Sequence, residues 1–123
     1  MTLFLENNSK LDPIFTTSDE IQKIFSQNID LEFLLDIAHI DNINHLQEII
    51  DIKYPKILHI ADRHFDVIHE HLPIGHGEID FQYIFSKLLP KYNGKIILEI
   101  VNKDSDIINS KNLIENFLNT PNQ

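Results

Sequence analysis

Glu32-Phe33-Leu34-Leu35-Asp36-Ile37 is a short apolar run in which three apolar residues lead to one carboxylate, Asp36. Its aliphatic residues are contiguous and do not alternate with polar ones. That is the pattern of a parallel strand buried on both faces. The same form recurs three times, at Thr2 to Glu6, Ile57 to Ala61 and Lys95 to Val101. In each run a leucine is followed by one ionisable residue: Leu5-Glu6, Leu35-Asp36, Leu58-His59 and Leu98-Glu99.

A helical pattern follows each run. Thr17 and Glu20 form a capping box ahead of Ile21, Ile24 and Phe25. Ile43, Leu46, Ile49 and Ile50 make a second stripe that stops before Pro55. Asp80 is placed to cap a third helix carrying Phe81, Ile84, Phe85 and Leu88, ended by Pro90 and Asn93-Gly94. A fourth helix is expected from Ser110 as N-cap, with Leu113, Ile114, Phe117 and Leu118 inward and Thr120-Pro121 as the stop.

The order βαβαβαβα predicts an α/β fold of four units with parallel strands joined by right-handed crossovers. A closed (β/α)₈ barrel of about 250 residues uses roughly 31 per unit, so four units need about 124. The chain has 123 residues. It is therefore expected to be one domain, residues 1–123, with the size of half a barrel. Two strand edges, at Thr2 to Glu6 and at Lys95 to Val101, are then left without neighbours. A homodimer or a separate N-terminal half-barrel chain is the expected cover.

Asp and Glu number 19 against 10 Lys and Arg, a net charge of −9. Such a chain is a poor non-specific binder of nucleic acid or anionic membrane. It binds cations well if carboxylates converge. The absence of cysteine removes disulfides and thiolate metal sites. No apolar run approaches the roughly 18 residues of a membrane span, and the N-terminus lacks the pattern of a secretion signal. A cytoplasmic location is expected.

The four ionisable residues after leucine carry the functional signal. An ionised side chain in so apolar a setting needs a partner or a metal. In a parallel barrel the strand C-termini share one mouth, where reactive groups sit. A single polar residue at a strand end is as often structural as functional. Four in the same phase point to one site. Glu6, Asp36, His59 and Glu99 offer three carboxylates and one imidazole, a ligand set for Mn²⁺, Mg²⁺, Co²⁺ or Zn²⁺.

Of the other polar residues, His69 and His71 alternate in a loop and face one side if it is extended. His64 and His76 of that loop are expected in solvent, and His45 on the surface of the second helix. Asp62 and Arg63 follow the third strand and either touch substrate or pair with each other. Gly75 and Gly77 are expected to serve loop geometry.

Taken in order, these motifs resemble the superfamily that joins xylose isomerase-like sugar epimerases with the endonuclease IV type of AP endonuclease. LFLEN at 3 to 7, LLDIAH at 34 to 39, LHIAD at 58 to 62 and IILEI at 96 to 100 resemble that family's fifth to eighth strands. HEHLPIGHGEIDF at 69 to 81 resembles its loop of the form Asp-x-His-x-x-x-Gly-x-Gly, with His69 in place of the aspartate. The resemblance covers the C-terminal half of the barrel. It implies a metal held by Glu6, Asp36, His59 and Glu99, with Glu6 and Glu99 as the acid/base pair. His39, His71 and His69 would bind substrate or a second metal. The implied reaction is isomerisation or epimerisation of a small sugar, sugar phosphate or sugar acid through an enediolate. Phosphodiester cleavage at abasic DNA, and a split-gene fragment inactive alone, are the competing implications.

Overall fold

The computed structural model describes residues 1–119, so the expected stop at Thr120-Pro121 lies outside the described residues. Four parallel strands form one sheet in the order β1-β2-β3-β4. They are β1 (Phe4–Glu6), β2 (Glu32–Asp36), β3 (Ile57–Ile60) and β4 (Lys95–Leu98). The helices are α1 (Ser18–Gln27), α2 (Ile43–Ile52), α3 (Phe81–Tyr83) and α4 (Asp104–Asn119). A single 3₁₀ turn, Ile37–His39, follows β2, and a π-helical turn, Ile84–Leu88, continues α3. The βαβαβαβα order and the parallel sheet are as expected, and the fold is that of a partial (β/α)₈ barrel.

Every strand is shorter than its apolar run. In β1, β2 and β4 the ladder ends at or beside the ionisable residue, and β3 runs one residue past His59. Asp36 leaves β2 by capping the 3₁₀ turn, its side chain accepting from the Ala38 N–H. Glu99 still donates its N–H to the Ile60 carbonyl at 2.9 Å, one residue past β4.

The capping box of α1 forms as the sequence indicates, with Thr17 and Glu20 exchanging both hydrogen bonds. Asp80 accepts from the Tyr83 N–H and starts α3. The chain then widens, and Leu89 N–H reaches the Ile84 carbonyl at 2.8 Å, five residues back, just before Pro90.

The fourth helix starts six residues before Ser110. Its first turn carries Asp104 and Asp106, acidic residues that suit a helix N-terminus. Ser110 is buried within the helix, and its Oγ accepts the Ile74 N–H at 3.0 Å. Leu113, expected inward, is 36% exposed, while Ile114 faces the core.

The two faces of the sheet differ. Phe33, Leu35, Leu58 and Ile60 point to the helices and are buried, joined by Leu5, Ile96 and Leu98 at the edges. The other face carries Phe4, Leu34, Ile57 and Ile97, all outside the packed core. Phe4 is 37% and Ile97 45% exposed. The expectation of strands buried on both faces is thus met on the helix side alone. Beside the β1 edge, Leu5, Ile14, Phe15 and Ile24 line an apolar hollow of about 550 Å³.

Candidate functional site

Register explains why four residues from four strands meet. Glu6 lies level with Leu34, which pairs with Ile57, which pairs with Lys95. Asp36 pairs with His59 one step higher on the same face. Glu99 stands four residues beyond Lys95. The strands of a barrel are tilted and staggered, so this climb along the register brings all four side chains to one height at the C-terminal end of the bare face.

One ligand atom from each of Glu6, Asp36, His59 and Glu99 falls within 4.8 Å of all the others. The His59 Nδ1 lies 2.8 Å from Glu6 Oε2 and 3.9 Å from Asp36 Oδ2, and it touches Glu99 Oε1. That nitrogen is buried, yet none of these contacts is aligned as a hydrogen bond. Three carboxylates around one nitrogen cannot all be satisfied by one proton. A divalent cation would satisfy them together. Ligands about 2.1 Å from an ion stand about 4.2 Å apart when opposite, so atoms already confined within 4.8 Å need little movement to share one.

Asp36 is the buried member, at 2% exposure. Its Oδ1 accepts the Ala38 N–H at 2.9 Å, which leaves Oδ2 for the site. Burial first, and then the charges of Glu6 and Glu99, push its carboxyl up to about 9. A cation at this site would offset the burial and the like charges that raise it.

A ring of imidazoles borders the cluster. His39 Nε2 lies 3.5 Å from Asp36 Oδ2, and its Nδ1 lies 2.8 Å from the Asn7 carbonyl. Burial lowers the His39 pKa from its ordinary value, against the opposing hydrogen bond to the Asn7 carbonyl. His71 Nδ1 meets the Glu99 carbonyl at 2.9 Å, and its Nε2 meets His69 Nε2 at 3.1 Å. The His69 ring is 5.9 Å from that of His39. All seven residues singled out in the sequence thus lie in one neighbourhood.

Other expectations are corrected. His45 is not a surface residue: 11% of its side chain is exposed, and Nδ1 accepts the Asp41 N–H at 3.0 Å. His64, half-exposed, meets Glu70 at 3.1 Å through Nδ1. Asp62 and Arg63 do not serve each other as an ion pair. The buried Asp62 carboxylate accepts the N–H groups of Arg63, Gly75 and Ile79 at 2.8, 2.8 and 3.1 Å. Arg63 donates to the carbonyls of Ala38 and Ile40 at 3.0 and 2.5 Å. Both residues fasten loops around the mouth. Gly77 belongs to the same device, because a Cβ there would lie 2.6 Å from the Arg63 backbone.

Sequence reasoning missed Asn7. It is 1% exposed, and its amide binds both backbone groups of Asp36, 29 residues away. The sequence shows only an asparagine directly after Glu6, and nothing in it marks the burial or the distant partner.

Comparison with known proteins agrees with this architecture. Residues 1–118 match the family described as xylose isomerase-like TIM barrel. A solved structure, described as a D-tagatose 3-epimerase-like protein, superposes with a TM-score of 0.78 at 25% identity. The alignment covers 96% of this chain and 47% of that one, so this chain spans about half the length of its structural relative. No curated protein matches. With the sheet order, the shared mouth and the match over residues 1–118 in agreement, the chain belongs to the xylose isomerase-like TIM barrel family.

Proposed function

We propose that this chain is the C-terminal half-barrel, strands five to eight, of a metal-dependent sugar or sugar phosphate isomerase/epimerase-like protein. The observation that carries the reading is the meeting of Glu6, Asp36, His59 and Glu99 within 4.8 Å. Asp36 and His59 lie on the two inner strands, Glu6 ends the outer strand β1, and Glu99 comes one residue past the other outer strand, β4. These four residues would hold a divalent ion, Mn²⁺, Mg²⁺, Co²⁺ or Zn²⁺. When bound, such an ion acts as a Lewis acid and lowers the cost of charge on a neighbouring carbonyl oxygen.

The rest of the chemistry falls to this chain. Glu6 and Glu99 flank the inner pair, so one, as carboxylate, can take a proton from the carbon beside a ketose carbonyl while the other, as carboxylic acid, gives its own proton to the opposite face. Charge develops as an enediolate, and a preorganised site favours that charge over the neutral ground state. His39, His71 and His69 border the cluster and would bind a substrate oxygen or a second metal. The substrate class is a small sugar or sugar acid. The bare face and the open edges of β1 and β4 need a partner, either a second copy or a separate N-terminal half-barrel chain.

Proton exchange tests the reaction. A ketose incubated in deuterated water with Mn²⁺ and the assembled protein should lose its carbon-bound proton signal by NMR. Glu99→Gln and Glu6→Gln should each abolish the loss. Cleavage of abasic DNA that Glu99→Gln abolishes would move the assignment to phosphodiester chemistry. Failure of exchange in every assembly, with metal bound, would leave the chain as a fragment without this activity.

A further inference from the structure

We propose that Asn7 is a positioning residue that fixes both Asp36 and the tautomer of His39. The proposal deepens the metal-site reading and rests on it for its affinity arm alone. It starts from the way β1 ends. The strand stops at Glu6, and Asn8 N–H turns away to bond the Phe15 carbonyl at 3.0 Å. From this point β1 supplies no backbone partner for β2. The Asn7 side chain takes over. Its Oδ1 accepts the Asp36 N–H at 2.7 Å, and its Nδ2 donates to the Asp36 carbonyl at 3.2 Å.

An amide that binds both backbone groups of one residue fixes where that residue lies and how it is turned. Asp36 then presents Oδ1 to the Ala38 N–H and Oδ2 to the site. Leaving either backbone group unpaired in so buried a place would be costly. Asn7 is itself 1% exposed, so water does not readily replace it.

The second consequence concerns His39. Its Nδ1 faces the Asn7 carbonyl at 2.8 Å. A carbonyl only accepts, so Nδ1 must carry the proton. In the neutral ring Nε2 then holds a lone pair, turned toward Asp36 Oδ2 at 3.5 Å. A residue that orients first-contact ligands in this way commonly changes metal affinity by about 10- to 100-fold when removed. The clamp keeps the Asn7 carbonyl in place, because the same residue that accepts from His39 is pinned through its side chain to Asp36.

Two measurements on the full chain decide it. In metal-free protein, imidazole ¹⁵N shifts should show His39 with its proton on Nδ1, and Asn7→Ala should give a mixture of tautomers. Mn²⁺ titration should then show Asn7→Ala binding about 10- to 100-fold more weakly than the parent. Ser110→Ala is the control, since it removes one buried hydrogen bond far along the chain; it should lower thermal stability and leave both readouts unchanged. A proton on Nε2 of His39 in the parent would overturn the proposal even if Asn7→Ala failed to fold. So would an unchanged affinity and tautomer in Asn7→Ala, or an equal loss of affinity in Ser110→Ala. If the parent binds no Mn²⁺, the metal reading fails, and the tautomer measurement still decides what Asn7 does.

Discussion

Asp62 shows how one side chain can organise a loop. Its carboxylate accepts three backbone N–H groups, from Arg63, Gly75 and Ile79, and it is completely buried. Charge-assisted bonds to backbone N–H are among the stronger hydrogen bonds. Asp62→Ala would leave three donors without this partner, two of them in buried bonds, which should cost about 3 kcal/mol. Urea unfolding should show it, with Asp62→Asn intermediate. Such a carboxylate looks in the sequence much like a ligand. Asp62 lies two residues past the third strand and Asp36 ends the second, yet the partners of Asp62 are backbone groups 1 to 17 residues away. What separates them is phase: Glu6, Asp36, His59 and Glu99 each come directly after a leucine, and Asp62 does not. The phase made the cluster legible. Asn7 was not legible, because its role is a side-chain bond to backbone 29 residues away.

Elements were readable to the extent that local chemistry defined them. The capping box of α1 is a contiguous motif, and Thr17→Ala should destabilise the protein by about 1 kcal/mol in thermal or urea unfolding. Glu20 adds a pH dependence. Its carboxylate accepts from the backbone N–H groups of Thr17, Phe15 and Thr16, which hold its pKa below the ordinary value. A carboxyl with a lowered folded-state pKa contributes stability that is present above its unfolded value and is lost as pH falls through the folded one. Glu20→Gln should therefore lower stability at pH 7, flatten the fall of the stability profile below about pH 4.3, and differ little from the parent once the pH is below the folded-state pKa. The start of α4 was misread for a physical reason. Asp104-Ser105-Asp106 reads as a polar loop, but acidic residues are also favoured in a first helical turn. Ser110, taken for a cap, spends its hydroxyl on the Ile74 N–H of a loop 36 residues away. Strand lengths were overestimated because apolar residues such as Val101 continue past the last ladder bond, and Val101 is 83% exposed.

At the scale of the whole molecule, the governing feature is a sheet with one covered and one bare face. Phe4, Leu34, Ile57 and Ile97 lie on the uncovered side, and β1 and β4 are both open edges. In a closed barrel those edges pair and those side chains fill the interior. The metal-free chain should therefore self-associate or aggregate in sedimentation, and an N-terminal half-barrel chain should convert it to a defined complex. A second copy would close the edges but bring six carboxylates, two each of Glu6, Asp36 and Glu99, around one mouth. Dimers should for that reason form more readily with divalent cation present. A sharp monomer in both conditions would show that the four units are self-sufficient. The cation site is the centre on which the strands converge. Calorimetric titration of the chain with Mn²⁺ tests it most directly. The result predicted is one bound ion per chain, lost in both Asp36→Ala and His59→Ala; binding by those variants equal to the parent's would contradict the assignment.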